Sequence, residues 1–312
     1  MQSFQQTHRA AGWSAAAAML LAVFGVTGCS LTPLAKQTAA FSAATNLVAD
    51  HSQDAYRTAN NIYFESQLFT AVRAYDTDPT WNPGKIQPLL SRDQIKARTD
   101  LLNLLKDYAQ HVADIENSPN RKALNGPAAG VGSGASSLVS SIPANLTGGS
   151  GITLSTGETN AISTATDALE RFLVQRTVKK ELLPVLQKMD PQVEAICRIL
   201  AKDTQTLESN SANNSSNVIS AQDMYIRNAG ASLSLEDKRT EIRREAVMSQ
   251  QAQTSKELFD SLHLAIVRLA LAHHALATAA QGNDPESIKA RIADLEASGK
   301  ELASFYNSLP TS

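Results

Sequence analysis

LAKQTAAFSAATNLVADHSQDAYRTANNIYFESQLF, residues 34–69, is the stretch that decides how this chain folds. Leu34, Phe41, Val48, Ala55, Ile62 and Phe69 recur at steps of seven residues, two helical turns apart, and so share one helix face. Four residues beyond each of the first five stands a small side chain: Thr38, Thr45, Ser52, Ala59 and Ser66. A second helix can therefore approach closely along this seam. The spacing predicts a helix over residues 34–75, about 60 Å long at roughly 1.5 Å per residue.

Downstream, Pro79, Asn82-Pro83-Gly84 and Pro88 make residues 76–90 a rigid connection, because proline removes amide donors and fixes backbone angles. Ser91 stands three residues before Gln94, the spacing of a capping box, and Ile95, Leu102, Leu105, Tyr108, Val112 and Ile115 supply the buried face of the helix it opens. A third helical region spans 158–207, with Ile162, Leu169, Phe172, Leu186, Met189, Val193, Ile196 and Leu200 near one stripe; Pro184 and Asp190-Pro191 predict a kink or break in it. The Asn- and Ser-rich residues 210–217 read as a reversal loop. Ser234 and Asp237 open a long helix to about residue 280, carrying Phe259, Leu262, Ile266, Leu269, His273, Leu276 and Ala280 at steps of three and four. Asp284-Pro285-Glu286 starts a last helix with Ile288, Ile292, Leu295, Leu302 and Phe305. Few aromatics and many helix formers agree. The expected architecture is all-α: an elongated up-and-down bundle of about five helices, one domain over residues 29–312.

Residues 123–157 interrupt this pattern with 35 positions free of charge, holding eight of the twelve glycines found after residue 28. The favoured reading is a flexible loop. A β-hairpin of 138–142 with 152–154 around Gly148-Gly149 is a second reading. A membrane-entering tongue, on a loose likeness to helical pore-forming toxins, is the third. The Gly130 cluster neither follows a strand nor opens a helix, and no Walker motif occurs, so phosphate binding is rejected.

At the amino terminus, His8 and Arg9 precede an apolar run, residues 10–26, that ends in Thr27 and Gly28, an arrangement suited to export. About 17 residues is short for spanning a roughly 30 Å hydrocarbon core. Cys29 follows directly, and Val26-Thr27-Gly28-Cys29 resembles the lipobox of bacterial lipoproteins, with Thr27 a less typical choice at its position. The resemblance covers residues 1–30 and implies cleavage before Cys29, diacylation of its sulfur and acylation of its new amine. Several acyl chains anchor stably where one is marginal. Ser30, standing where an aspartate would favour inner-membrane retention, implies the outer membrane, with the body in the periplasm. Cys197 is then the one remaining thiol, so stability rests on packing, without an intrachain disulfide.

The chemistry-bearing residues form no recognisable catalytic set. Gly-x-Ser-x-Gly, Ser-x-x-Lys, His-Glu-x-x-His and Cys-x-x-Cys are all missing, so no catalytic residue, cofactor or metal ligand is assigned. With 28 basic against 30 acidic side chains the chain lacks the cationic surplus of a nucleic-acid binder. His263 and His274 share a helix face but lie roughly 16 Å apart, too far to hold one metal. His273 reads as a core histidine bonded to a neighbouring helix, with metal ligation by His273 or His274 the minority alternative. Asp76-Thr-Asp78 lacks the remaining ligands of a calcium loop. The basic residues at 171–180 and 238–244, alternating with Glu236, Asp237, Glu241 and Glu245, read as solvated helix faces. Cys197 reads as an inert buried thiol. Six of the thirteen aromatics beyond residue 28 lie between Tyr56 and Trp81. Aromatics dominate binding hot spots, and Trp81, Tyr75 and Phe64 are the expected partner-binding residues. These features point to a lipid-anchored helical binding or scaffold protein of the envelope, an assembly factor or an immunity protein, whose partners are the membrane through Cys29 and an envelope protein or toxin. The alternatives are an envelope enzyme or metal-dependent factor with a site between helices, and a membrane-remodelling or pore-forming protein using residues 123–157.

Overall fold

The computed structural model describes residues 33–78, 80–117, 146, 152–175, 182–279 and 285–308. Among these the fold is all-α, six helices and no strand. They are α1 (Pro33–Thr77), α2 (Arg92–Asn117), α3 (Thr156–Gln175), α4 (Leu182–Ala229), α5 (Leu235–Ala277) and α6 (Pro285–Ser308). Cys29 and the rest of residues 1–32 lie outside the described part. No described helix is long and apolar enough to cross a membrane.

The α1 seam packs as its spacing requires. Phe41, Val48 and Ala55 are buried, and so are the small Thr38, Thr45, Ser52, Ala59 and Ser66, which let α2 and α6 lie close. The hydroxyls of Thr38, Ser52 and Ser66 donate to carbonyls of their own helix, Ala35, Val48 and Tyr63, so their burial leaves no donor unpaired. Three helix starts are closed by serine boxes. Ser91 and Gln94 exchange bonds of 2.8 and 3.2 Å at α2. Ser155 and Glu158 do the same at α3, 2.8 and 3.2 Å. Ser234 caps α5 with φ −62° and ψ 164°, accepting from the Asp237 amide.

Cross-helix pairs fix the directions. Gln53 bonds Asn103 and Lys106 pairs with Asp50, so α2 runs antiparallel to α1. Asp190 meets His273 while Gln222 meets Glu241, which makes α4 and α5 one long antiparallel hairpin. Arg268 reaches Asp294 and Ser298 on α6, and Gln37 reaches Pro285, setting α6 beside α1 in the same direction. Tyr108 and His111 of α2 meet Phe172 near the end of α3, whereas Glu158 at the start of α3 pairs with Lys202, one residue from the partner of Arg98. Helices α2 and α3 therefore run in the same direction.

Two expectations are corrected. The described part of the third helical region comprises α3, to Gln175, and α4, from Leu182, and α4 runs unbroken through Pro191. Pro184 occupies the first turn of α4, where proline is tolerated. At Pro191 the buried neighbours Met189, Val193 and Ile196 hold the helix continuous despite the lost amide donor. Residues 210–217 are no reversal: they are helical within α4, and the chain turns at 230–234. Ser211 meets Ser255 of α5 at 2.9 Å, and Asn214 bonds Ser66 and Gln67 of α1, so tertiary partners for short polar side chains override their weak helix propensity. The five expected helices become six.

Most of the uncharged segment lies outside the described residues, including 138–142 of the expected hairpin. Its final part is pinned rather than loose: Leu146 and Ile152 are buried in the core, residues 152–155 are not strand, and Thr156 and Gly157 already belong to α3. Lys202 clamps this entry by donating to the Glu158 carboxylate at 2.6 Å and the Thr153 carbonyl at 3.4 Å. That bond from Lys202, with those from Ser155, holds the Glu158 carboxyl down at about 2.

Gly299 lets α6 lie on α1. A Cβ there would stand 2.8 Å from Leu47 Cδ2 and 2.9 Å from Cγ, closer than atoms pack. Gly299→Ala gains up to about 1 kcal/mol of helix propensity but overpacks the seam by about 1–3 kcal/mol. The expected net result is a lower melting temperature, restored when Leu47→Ala is added; thermal unfolding of the two variants checks it.

Candidate functional site

The six helices do not share one length of the bundle. Near the start of α1 the ends of α2, α3 and α5 and the starts of α4 and α6 all assemble, whereas among the described helices α1, α4 and α5 alone reach the far end, joined there by residues 78–91. With fewer neighbours, apolar side chains stay uncovered. Among the described residues, six of the eight exposed large hydrophobics, Phe64, Tyr75, Met224, Leu235, Ile242 and Val247, lie in this far part.

The connection is built stiffly. Asp78 accepts from the Thr80 amide and hydroxyl at 2.8 and 2.7 Å and pairs with Lys85 at 2.8 Å. The Lys85 bond leads these in holding the Asp78 carboxyl down at about 2. Asn82 closes the 3-10 turn Pro83–Lys85 by accepting from Gly84. The other end is tied to α1, where Asn60 both donates to Leu90 O and accepts from Leu90 N at 2.8 Å. This frame sets Trp81 against Tyr75, ring centroids 6.1 Å apart and nearly perpendicular at 83°. Beside them opens a cavity of about 300 Å³ lined by Tyr63, Gln67, Ala71, Trp81, Lys85, Ile86 and Gln87. Gln67 is fixed from behind by Asn214 of α4 at 2.8 Å. Two aromatic rings, an isoleucine and a few polar groups in a concave wall are the ingredients of a recognition pocket. Of the expected partner-binding residues, Trp81 lines the cavity and Tyr75, 68% exposed, stands at its rim. Phe64, 40% exposed, lies eleven residues before Tyr75 on the same helix face, roughly 16 Å away. Tyr63 and Gln67 complete the site and were not expected. Tyr56 is core, and the side chain of Phe69 lies outside the described part.

The histidines lie elsewhere. His273 is fully buried, with both ring nitrogens engaged: Nε2 meets the Tyr108 hydroxyl at 2.8 Å and Nδ1 meets Asp190 Oδ1 at 2.9 Å. No lone pair is left for a metal. The other Asp190 oxygen meets His274 Nδ1 at 2.7 Å. His263 Nδ1 lies 3.0 Å from Ala201 O. Among the described residues no group of three or more His, Cys, Asp or Glu could hold a metal ion. The side chain of Asp76 and residues 176–181, with Arg176, Lys179 and Lys180, lie outside the described part; Glu236, Asp237, Arg239, Arg243 and Arg244 are exposed as expected, whereas Lys238, Glu241 and Glu245 are half-buried, Glu241 accepting from Gln222 of α4. Cys197 is buried, and that burial pushes its thiol far up.

Three buried ionisable side chains went unread. Arg98 and Asp203 are wholly inaccessible and form a two-pronged pair, Nε to Oδ2 and Nη2 to Oδ1, both 2.6 Å. Burial pushes the Asp203 carboxyl up while Arg98 opposes it. Glu170 is 4% exposed with Oε1 unpartnered, and burial, aided by Asp167, pushes its carboxyl up to about 7. The signal was present for the pair: Arg98 falls at steps of three and four between Ile95 and Leu102, and Asp203 likewise between Leu200 and Leu207.

No family model, curated protein or solved structure matches the chain.

Proposed function

We propose that this chain is a lipid-anchored helical binding protein of the bacterial envelope, tethered to the outer membrane through Cys29 with its body on the periplasmic side. It holds an envelope protein, or a toxin delivered there, and so serves as an assembly factor or an immunity protein. One observation carries the binding reading: exposed apolar side chains and the Trp81 cavity gather at the end of the bundle opposite the start of α1. A tether at Cys29, four residues before α1 begins, leaves that end outermost. At roughly 1.5 Å per residue the length of α1 carries it about 65 Å from the anchor.

The test places a photo-cross-linking amino acid at Tyr75 or Gln87 in the far end, and at Lys36 or Lys289 in the near end, of the full-length protein in its native cells. The expected result is one stoichiometric adduct from the far positions and none from the near ones. Trp81→Ala should reduce that adduct about tenfold or more, as removal of a hot-spot aromatic does, at unchanged melting temperature. Equal adducts from both ends, or none from the far end, contradict the reading.

A further inference from the structure

Four side chains from three helices form one unbroken chain of hydrogen bonds from solvent into the core. His274 of α5, 63% exposed at its side chain, meets Asp190 of α4; Asp190 meets His273; His273 meets the fully buried hydroxyl of Tyr108 on α2. The polarity is set by chemistry. Asp190 as carboxylate accepts only, so His273 donates from Nδ1, and the remaining lone pair on Nε2 accepts the Tyr108 hydroxyl proton. His273 is thereby neutral, and a proton added at Nε2 would displace the Tyr108 bond. Phe41 of α1 lies against the ring at 5.8 Å and Phe172 of α3 against Tyr108 at 5.6 Å, so apolar rings pack on both members of the pair.

The segment that Asp190 holds is the first nine residues of α4, Leu182–Asp190. At its far limit stands Pro191, which has no amide to donate to Gln187 O. The segment is thus joined to the rest of α4 with one helix hydrogen bond fewer; its Leu182, Val185, Leu186 and Met189 are buried, and two histidine bonds at Asp190 tie its end to α5.

We propose that Asp190, His273 and Tyr108 form an acid-released latch that holds residues 182–190 on the bundle and lets them open reversibly, ahead of global unfolding, as the surroundings acidify. Burial lowers the His273 imidazole below its ordinary value, against the opposing bond from Asp190. Burial raises the Asp190 carboxyl, but its bonds from His273 and His274 outweigh that and hold it below its ordinary value. The signs agree. An open segment returns His273 to solvent, where it takes up a proton below about pH 6.5, so the closed state loses stability as pH falls through that value and downward. Asp190 adds loss in stronger acid. The titratable groups facing His273 are Tyr108 from α2, Asp190 from α4 and His274 from its own helix; Lys188 and Glu194 of α4 are exposed, and α1 presents Phe41. Glu170 on α3 titrates with the opposite sign, so a comparison at His273 is needed to separate the two.

Hydrogen exchange of the whole protein, corrected for intrinsic rates, tests this at pH 7.5 and 5.5. Expected is an opening constant for peptides within 182–190 about tenfold larger at pH 5.5, the uptake of one proton, with peptides in 192–215 changing less. In His273→Gln, whose amide replaces both bonds and cannot titrate, the tenfold change should vanish. Persistence of that change in the variant overturns the latch. Should the variant fold poorly, the imidazole nitrogen shifts of His273 in the native protein decide instead. A neutral Nδ1–H ring at pH 5.5 supports the latch, and an imidazolium already present at pH 6.5 overturns it.

Discussion

Arg98→Met should destabilise the protein by about 3–5 kcal/mol, because it strands the Asp203 carboxylate in the core without its partner. The pair is two-pronged at 2.6 Å on both arms, and neither side chain reaches solvent. Arg98 also donates to Gln94 O at 2.8 Å and lies 5.9 Å from the centre of the Tyr56 ring, so the guanidinium is held on several sides. Asp203→Asn, which strands the cation instead, should cost a similar amount. The double variant Arg98→Met, Asp203→Leu should recover most of the loss, since replacing a buried pair by apolar groups of similar size is often neutral or favourable. Denaturant unfolding of the three variants checks the set. Single variants within 1 kcal/mol of the parent would show that water reaches this part of the interface between α2 and α4.

Glu170→Gln should act in the other direction, by an amount that grows as pH rises above 4.5. The carboxyl is pushed up to about 7 in the folded chain, against about 4.5 for an ordinary glutamate. A raised carboxyl favours the folded state while protonated, so its contribution is full below pH 4.5 and is lost as pH rises through 7. At pH 8 the ionised, unpartnered oxygen is a burden that the amide removes. The expected gain is about 1–3 kcal/mol at pH 8, falling towards zero at pH 4.5, read from unfolding at the two values. A gain that does not depend on pH would place the effect in packing and not in ionisation.

The all-α bundle was legible because its strongest signal, the repeat from Leu34 to Ile62, depends only on helical geometry; Phe41, Val48 and Ala55 are buried, and Leu34 and Ile62 are half-buried. The capping boxes at Ser91 and Ser234 were equally readable, and the one at Ser155 had the same spacing three residues upstream of where the helix was expected to begin. What the chain concealed lay in partners distant in sequence. Residues 210–217 look like a loop until Ser255, Ser66 and Gln67 are brought beside them. Pro191 looks like a break until its flanking residues are buried. Arg98 and Asp203 each look like a flaw in an apolar stripe, and only the packing of α2 on α4 turns two flaws into one pair. The candidate site divides in the same way: Trp81 and Tyr75 stand out as aromatics near prolines, whereas Tyr63 and Gln67 join the cavity only because Asn60 and Asn214 position its walls.

The reading of this chain as an anchored binding protein depends most on Cys29. The direct measurement is mass spectrometry of the mature amino terminus, with membrane fractionation of the parent and Cys29→Ser. The account predicts a chain beginning at Cys29 that carries acyl groups on its sulfur and amine, found with the outer membrane and released from it in the variant. An amino terminus at another residue without lipid, or a Cys29→Ser protein that stays with the membrane, would contradict it.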